Sequence, residues 1–500
     1  MRVRTVVMVA LAGAALVVGA TRGFGLFGRQ GSAMPDMSRT SLSAAQMASI
    51  DRYISGEMAR QRIPGLALGI YRHGSAVLTK GYGLANIELT VPVSADTVMQ
   101  SGSIGKSFTA TAVMMLVEQG KVGLHDSIRT YFPEAPASWQ PITVAHLLSH
   151  TSGLAAHDSE ERIAAGGPFD LRRDYSEDEL VAAMAELPID FAAGSDWAYQ
   201  NTNYVLLGVL IHRVTGQFFG DYLQQNIFAP LGMRATRVIS DLDIVPHRAA
   251  GYEITGGVLR NQQWVSPTFN ATADGTLYFT VRDLEHWDRA LYGSALLKPA
   301  TLQQMWTPFP LDTGVPNAEG YGFGWFVQQV NGHRVVEHDG AWQGFTSMLA
   351  RYLDDGLTVV VLTNLDSQHS WPNGIARVVA GMVEPALMPA PRQVIADDRP
   401  PLTQALWNRL RPLMAGDAVT VAADGTGYAP SAETLLGLRH ALPPAWDQSP
   451  PQLLARQVGA DGTESTYRIG QPGNTRLLVA VTTPDGRVVD VAINPDPDNR

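Results

Sequence analysis

Glycine-bearing turns on both sides of one long segment constrain the fold of this 500-residue chain more than any other feature. His73-Gly74, Asn331-Gly332 and Asp354-Asp-Gly356 are short turns of the kind that join two antiparallel strands. The strand-like runs beside these turns cover residues 66–72, 76–82, 324–330, 334–338, 345–353 and 357–363. We therefore predict a hairpin before the long segment and an antiparallel meander after it.

The long segment, roughly residues 100–310, is dominated by helical patterns and by loops that contain Gly and Pro. The two ends of the domain would then build one antiparallel sheet, with a mainly helical inserted region packed beside it. The predicted fold class is α+β, with a small C-terminal α+β module beyond the proline-rich stretch 392–401. In this module we predict helices over 402–414 and 432–440, strands over 453–458, 464–469, 476–482 and 488–493, and a turn at Asp485-Gly486. The predicted domains are a signal peptide or membrane anchor (1–30), a large domain (38–390) and a module of unknown role (400–500).

Charge and composition exclude several classes of function. The formal net charge of −10 argues against nucleic acid as a partner. The chain has no cysteine, which excludes disulfides, thiol catalysis and cysteine-based metal sites. Arg2 and Arg4 precede an apolar run over residues 5–20, which is typical of a secretory signal but also compatible with an uncleaved membrane anchor. In both cases we expect the folded part to be exported, either periplasmic or secreted.

The motif Ser103-Ile-Gly-Lys106 contains the residue types of an activated nucleophile. A serine hydroxyl is weakly nucleophilic unless a neighbouring base removes its proton. If a helix starts at Ser103, the side chains of Ser103 and Lys106 lie on one face and can meet. Gly120 stands where a helix C-terminal cap is expected. The structural alternative is that Ser103 is only an N-cap, which is the commonest role of a serine before a helix.

Tyr199 and Asn201 precede an apolar helical run at residues 204–211. The functional interpretation places the Tyr199 phenol beside Lys106, whose ammonium would lower the phenol pKa so that the two groups share one proton. Asn201 would contact the substrate and bridge toward Lys106. The structural alternative is a packing aromatic followed by a helix-capping asparagine.

The motif His338-Asp-Gly340 is predicted to end a strand. Gly340 would let a substrate lie against the strand edge and pair with its backbone. The N–H of Ala341, together with that of Ser103, would form an oxyanion hole. The structural alternative is a strand-end turn that carries a surface histidine.

His146 and His150 are four residues apart, a spacing that two metal ligands on one helix can have. The residues between them lack the glutamate of the H-E-x-x-H motif, and no third ligand is evident. We therefore expect no metal and no cofactor. A structural hydrogen-bonding role is expected for His150.

In order and spacing, these motifs resemble those of the serine β-lactamase and penicillin-binding-protein superfamily, most closely its class C β-lactamase-like branch with the related D-amino-acid peptidases and carboxylesterases. The segments that carry the resemblance are Ile63-Pro-Gly-Leu66, Ser103-Ile-Gly-Lys106, residues 142–154, residues 197–204 and Tyr321-Gly-Phe-Gly-Trp325. The resemblance implies that Ser103 is the acylated nucleophile and that Lys106 and Tyr199 are the proton-transfer pair. It also implies that the substrate and its oxyanion are contacted by Asn201, His338, Gly340 and Ala341.

The activity implied by the resemblance is that of a serine hydrolase that forms an acyl-enzyme on an amide or ester carbonyl. Candidate substrates are a β-lactam, a D-Ala peptide related to the cell wall and a short ester. The third motif departs from the pattern, since relatives usually have lysine where this chain has His338. A neutral imidazole next to Asp339 is a poorer receptor for a substrate carboxylate, which favours esters or amides over strong β-lactamase activity. The alternative is a penicillin-binding or sensing protein without turnover.

Overall fold

The computed structural model describes residues 41–317, 319–415 and most of 438–498, with gaps at 440–441, 443–445, 459–461, 472–473, 484–486 and 497. The predicted signal or anchor segment, residues 1–30, lies outside the described residues. No helix within the described ranges is long and apolar enough to cross a membrane.

The strands form one large sheet, one C-terminal sheet and two small ones. In chain order they are β1 (Gly65–Arg72), β2 (Ser75–Asn86), β3 (Val91–Pro92), β4 (Met99–Gln100), β5 (Arg237–Val238), β6 (Tyr252–Thr255), β7 (Val258–Asn261), β8 (Leu277–Phe279), β9 (Phe326–Val330), β10 (His333–Trp342), β11 (Phe345–Tyr352), β12 (Leu357–Thr363), β13 (Gln452–Val458), β14 (Thr463–Gln471), β15 (Asn474–Thr482) and β16 (Val488–Pro495). The helices are α1 (Ala44–Gln61), α2 (Gly105–Glu118), α3 (Val144–Ser149), α4 (Glu160–Ile163), α5 (Glu177–Ala185), α6 (Asn201–Thr215), α7 (Phe219–Leu223), α8 (Ala229–Leu231), α9 (Val281–Ala290), α10 (Pro299–Met305), α11 (Pro372–Val383) and α12 (Pro400–Ala415).

The large sheet has seven strands in the order β3-β2-β1-β12-β11-β10-β9. Strands β1 and β12 pair antiparallel over seven residues each, which joins the hairpin before the helical region to the meander after it. This confirms that both ends of the domain build one sheet, and confirms the α+β class. The turns are also those predicted, since Asn331 and Gly332 both have positive φ, at 51° and 84°.

Strand β10 is longer than the sequence predicts. We expected a strand over residues 334–338 that ends at His338, but β10 continues to Trp342 because its pairing with β11 runs without interruption to Phe345. Its pairing with β9 stops at Glu337, since β9 begins only at Phe326. The third motif therefore lies inside a strand, in the part of β10 that has β11 on one side and no β9 partner on the other.

Two hydrophobic cores enclose the large sheet. The larger core joins the sheet to the helical region, and in it Phe108 of α2 stacks on Trp287 of α9 with ring centroids 4.0 Å apart. The second core lies between the other face of the sheet and helices α1 and α11, with Ile54 and Val379 fully buried. Because β1, β11 and β12 have apolar neighbours on both faces, nearly all of their residues are buried.

Helix α2 lies deep in the larger core, and most of its residues are buried. The helix begins at Gly105 rather than at Ser103, because Ser103 belongs to a 3₁₀ turn, Gly102–Ile104, that leads directly into the helix. Gly120 has φ +69° and follows the last helical turn, as the capping prediction requires.

The C-terminal module consists of α12 and the antiparallel sheet β13-β14-β15-β16. It has its own core, which includes Leu410, Tyr467 and Leu478. The strands predicted from 453, 464, 476 and 488 are present in this order. Most of the helix predicted over residues 432–440 and the turn predicted at Asp485-Gly486 lie outside the described residues.

A buried ion pair connects the helical region to the sheet. Asp288 of α9 accepts hydrogen bonds from Arg351 Nε of β11 and from Thr358 Oγ1 of β12, both at 2.7 Å. Both ionic side chains are buried, with 0% and 1% of their surface exposed. Loss of one partner leaves the other charge buried without compensation.

We predict that Asp288→Ala lowers the free energy of unfolding by about 3–5 kcal/mol, because Arg351 would lose its counter-charge in the core. Urea denaturation followed by circular dichroism measures this change. Asp96→Ala is the matched control, since Asp96 pairs with Arg282 at the surface with both side chains about half exposed. The control should cost less than about 1 kcal/mol; equal losses in the two variants would contradict the prediction.

Candidate active site

Ser103 lies where the 3₁₀ turn before α2 meets strand β10. A Cβ added to Gly102 would lie 2.2 Å from the Ala341 nitrogen, and one added to Gly340 would lie 2.8 Å from the Ser103 nitrogen. Only glycine at both positions permits this approach of the two backbones. The Ser103 and Ala341 amide groups are thereby brought to the same place, and both residues are accessible to solvent.

Lys106 is fully buried one helical turn after Ser103. Its Nζ donates to Ser103 Oγ at 2.9 Å and to Asn201 Oδ1 at 2.7 Å, and it also donates to the backbone carbonyl of Asp274. Burial lowers the pKa of Lys106 to about 8, although the carboxylates of Asp274 and Asp158 oppose the shift. A substantial fraction of this amine is therefore neutral near physiological pH and can accept a proton.

Tyr199 lies beside Lys106, as expected, but its acidity differs from the expectation. Lys106 Nζ is 4.9 Å from the centroid of the Tyr199 ring, and the phenol interacts with the Ser103 side chain. We expected Lys106 to lower the phenol pKa. Instead, burial raises the pKa of Tyr199 well above its usual range, with Ser103 as the main opposing influence. The hydroxyl oxygen is buried and makes no well-formed hydrogen bond to another described residue, so Tyr199 is a neutral phenol beside Ser103.

Asn201 is the first residue of α6, and its side chain does not cap that helix. Its Oδ1 accepts the hydrogen bond from Lys106, and its Nδ2 donates to Asp158 Oδ2 at 2.6 Å. The expected bridge toward Lys106 is therefore present. The amide nitrogen already has a partner, Asp158, which the sequence did not suggest.

His338 of β10 is buried, and its ring lies 6.0 Å from that of Tyr199. It is therefore not the surface histidine of the structural alternative. Its Nδ1 lies 2.6 Å from the carbonyl oxygen of Asp339, which can only accept, so Nδ1 carries the proton. Nε2 is then an acceptor, and Tyr321 donates to it at 3.0 Å. Burial lowers the pKa of His338 to about 3. The imidazole is thus neutral, and both of its nitrogens bond within the protein.

His150 has the structural role predicted for it. It ends α3 with φ 61°, and its Nδ1 accepts hydrogen bonds from the Gln200 backbone N–H at 3.2 Å and from Asn203 Nδ2 at 3.0 Å. Its ring packs against that of Tyr199, with the two ring centroids 4.4 Å apart, and so restricts the position of the phenol. Across the part of the chain that the structure describes, no group of three or more His, Asp or Glu residues is arranged to hold a metal ion.

The sequence did not single out Asp158, Asp274 or Tyr321 as functional residues. Asp158 and Asp274 lie in irregular loops, where no periodic pattern indicates which side chains point inward. Tyr321 belongs to one of the segments that carry the family resemblance, but its hydrogen bond to His338 depends on the inward orientation of β10. Asp274 contacts Lys106 through its backbone carbonyl, and a contact made by the backbone leaves no signal in the sequence.

The chain is similar to known proteins over about two thirds of its length. The model of the Beta-lactamase family matches residues 50–381. Penicillin-binding protein 4* of Bacillus subtilis (strain 168) is 29% identical over 324 residues, which cover 61% of this chain and 69% of that protein. Protein flp of Staphylococcus aureus (strain N315) is 28% identical over 336 residues, which cover 66% of this chain and 65% of that protein. The match thus spans about two thirds of each relative.

Solved structures give the same result for the fold. D-amino acid amidase from Ochrobactrum anthropi SV3 superposes with a TM-score of 0.58 at 25% identity, over 69% of this chain and 99% of that one. The octameric penicillin-binding protein homologue from Pyrococcus abyssi superposes with a TM-score of 0.61 at 23% identity, over 88% of this chain and 94% of that one. Since the family model matches well over half of the sequence, the chain belongs to the Beta-lactamase family.

Proposed function

We propose that this protein is a serine hydrolase that works through an acyl-enzyme on Ser103. The observation that carries the proposal is the 2.9 Å contact between Ser103 Oγ and the Nζ of a fully buried lysine. Burial gives Lys106 a pKa of about 8, close to the value that suits a general base at neutral pH.

In the proposed acylation step, neutral Lys106 accepts the Ser103 proton while Oγ attacks the substrate carbonyl carbon. The N–H groups of Ser103 and Ala341 stabilise the negative charge on the carbonyl oxygen. The proton on Lys106 then passes to the leaving nitrogen or oxygen as the carbonyl–leaving-group bond breaks. Tyr199, whose raised pKa keeps the phenol protonated, assists this transfer as a donor rather than as a base.

In the proposed deacylation step, Lys106 is neutral again and removes a proton from the water that attacks the acyl carbonyl carbon. The bond between this carbon and Ser103 Oγ then breaks, and Lys106 returns the proton to Oγ as the acid product leaves. This assignment departs from the expected Lys106–Tyr199 proton-transfer pair, in which Tyr199 would share the role of base, because the raised pKa of Tyr199 disfavours a phenolate. Substrate groups would bind along β10 beyond Glu337, where the strand has no β9 partner.

The substrate class that we propose is a small amide or ester, with a D-amino-acid amide or peptide, a short ester and a β-lactam as candidates. His338 is neutral and fully bonded within the protein, so the third motif offers no cation to a substrate carboxylate. This favours amides and esters over penicillins. The names of the relatives, a penicillin-binding protein and a D-amino acid amidase, support an exported protein with substrates related to the cell wall.

Covalent labelling tests the nucleophile. We predict that a fluorophosphonate or penicillin probe labels the wild-type protein and that Ser103→Ala abolishes the label, because the acylated oxygen is removed. Ser107→Ala is the matched control, since Ser107 lies in α2 four residues after Ser103 and its hydroxyl donates to the Ile104 carbonyl. Intact-mass spectrometry reads the adduct. A wild-type protein that neither probe labels, or a Ser103→Ala variant that still reacts, would contradict the proposal.

The lysine pKa predicts the pH dependence of acylation. Protonated Lys106 cannot accept the Ser103 proton, so the acylation rate should rise with pH along a limb centred near the Lys106 pKa of about 8 and then level off. Stopped-flow acylation between pH 5.5 and 10 measures this limb. Lys106→Met should remove the limb and lower the rate by a factor of at least about 100, the lower end of the range for loss of a general base.

A penicillin-binding protein without turnover remains the second candidate, and the raised pKa of Tyr199 is the observation that favours it. If deacylation needs a phenolate, the acyl-enzyme accumulates. We predict instead steady turnover of at least one member of a panel of nitrocefin, a D-phenylalanine amide and p-nitrophenyl butyrate. Release of one equivalent of product per protein, with no further release, would contradict the hydrolase proposal and favour a penicillin-binding protein without turnover.

A further inference from the structure

Asp158 ends a chain of hydrogen bonds that starts at the nucleophile. Ser103 Oγ accepts from Lys106 Nζ at 2.9 Å, Lys106 Nζ donates to Asn201 Oδ1 at 2.7 Å, and Asn201 Nδ2 donates to Asp158 Oδ2 at 2.6 Å. The other carboxylate oxygen of Asp158, Oδ1, is buried and has no hydrogen-bond partner among the described residues. Asp158 therefore touches no reacting atom but adjoins a residue that holds the base.

The chemistry of the two groups beside Asn201 determines the orientation of its amide. A carboxylate can only accept hydrogen bonds, and Lys106 Nζ has N–H groups to donate to Asn201 both as an ammonium and as a neutral amine. If the Asn201 amide were rotated by half a turn, its oxygen would face the Asp158 carboxylate and its nitrogen would face Lys106 Nζ. Both contacts would then be repulsive. Asp158 thus selects the orientation in which Asn201 accepts from Lys106.

The backbone beside Asp158 is attached to the helix that carries Asn201. Thr202 Oγ1 donates to the Ala155 carbonyl at 2.8 Å and accepts from the His157 backbone N–H at 2.9 Å. Arg162 also donates to the Ala156 carbonyl in the same segment. Because the segment before Asp158 and the first turn of α6 are held together at Thr202, the carboxylate keeps a fixed position relative to Asn201.

We propose that Asp158 is a positioning residue for the proton-transfer group: it fixes the Asn201 amide so that Lys106 stays directed at Ser103, and it adds a negative charge near Lys106. The inference rests on the proposed function, because it assigns Lys106 the role of base. Asp158 acts through Asn201 and contacts neither substrate nor nucleophile.

Several titratable groups surround Lys106, and Asp158 is one of three carboxylates that act on it. The groups that face or act on Lys106 are Asp274 from the loop before β8, Asp158 from the loop before α4, Asp339 of β10, Tyr199 and Tyr204 with their rings 4.9 and 5.5 Å from Nζ, and the buried, neutral His150 and His338. Of the three carboxylates, only Asp158 is bonded to a side chain that itself bonds to Lys106.

The substitution Asp158→Asn separates the effect of the charge from the effect of the amide orientation, because the first moves the pH limb and the second lowers the plateau rate. Loss of the charge makes protonation of Lys106 less favourable, so the ascending limb of the pH–rate profile should move to lower pH. Loss of the fixed amide orientation should lower the plateau rate about 10- to 100-fold, as for a hydrogen bond to a charged group. Glu160→Gln is the matched control: it removes one carboxylate from the same segment, at an exposed position, and should leave limb and plateau unchanged.

A double-mutant cycle tests whether Asp158 acts through Asn201. In an Asn201→Ala background, Asp158→Asn should lower the plateau rate less than twofold, because no amide remains to be oriented. The shift of the limb should persist there, since it arises from charge. An undiminished effect on the plateau in the Asn201→Ala background would overturn the positioning role.

Direct titration of Lys106 keeps the inference testable even without turnover. The full chain contains only four lysines, at positions 80, 106, 121 and 298, so ¹³Cε-lysine labelling gives a simple NMR spectrum in which Lys106→Arg assigns the signal. The Lys106 signal should titrate at lower pH in Asp158→Asn than in the wild type and in Glu160→Gln, with thermal unfolding as a check of folding. An unchanged Lys106 pKa in a folded Asp158→Asn variant would overturn the inference, whereas absent labelling at Ser103 would overturn only the proposed function.

Discussion

The buried amine of Lys106 is the feature on which the site depends. Its Nζ can donate three hydrogen bonds when protonated, and its three acceptors are a serine hydroxyl, an asparagine amide and the carbonyl of Asp274. All three acceptors are neutral, so they satisfy the donors without compensating the charge, and desolvation lowers the pKa to about 8. A carboxylate in direct contact would have kept the lysine charged. The fold places the carboxylates of Asp158 and Asp274 near enough to moderate the shift but not to cancel it.

Close backbone packing brings together the Ser103 and Ala341 amides, which we propose as the groups that bind the substrate oxyanion. Gly102, Gly275 and Gly340 come from three separate segments, and a Cβ on any of them would lie within 3 Å of another segment's backbone. The absence of side chains lets the turn before α2 lie directly on β10, which holds the Ser103 and Ala341 N–H groups side by side. The long β10–β11 pairing supports this contact from the sheet side. The same sheet is joined to the helical region by Asp288, so the position of Ser103 depends on contacts across both layers.

The sequence predicts the sheet and the contact between Ser103 and Lys106 well because their signals are local. Glycine-bearing turns mark the hairpins, and Ser103 and Lys106 are near each other in any helix-like conformation. The bond from Asn201 to Asp158 could not be predicted, since it joins a helix start to an irregular loop 43 residues away. The strand end at His338 was misplaced because pairing with β11, rather than local propensity, extends β10 to Trp342. The expected direction of the Tyr199 pKa shift was wrong because burial, which is a property of the whole fold, raises the pKa of the phenol.

Among Lys106, Tyr199 and His338, only the amine of Lys106 is suited to accept a proton near neutral pH. Burial acts on all of them by disfavouring the charged form, but the consequence differs with the sign of the charge. Burial keeps the phenol of Tyr199 protonated and makes Lys106 a proton acceptor near neutral pH. It also keeps the imidazole of His338 neutral, and the unprotonated nitrogen of that ring accepts a hydrogen bond from Tyr321. In the proposed reaction, acylation and deacylation must therefore use the same amine. Any residue that orients Lys106, as we propose for Asp158, then affects both steps together.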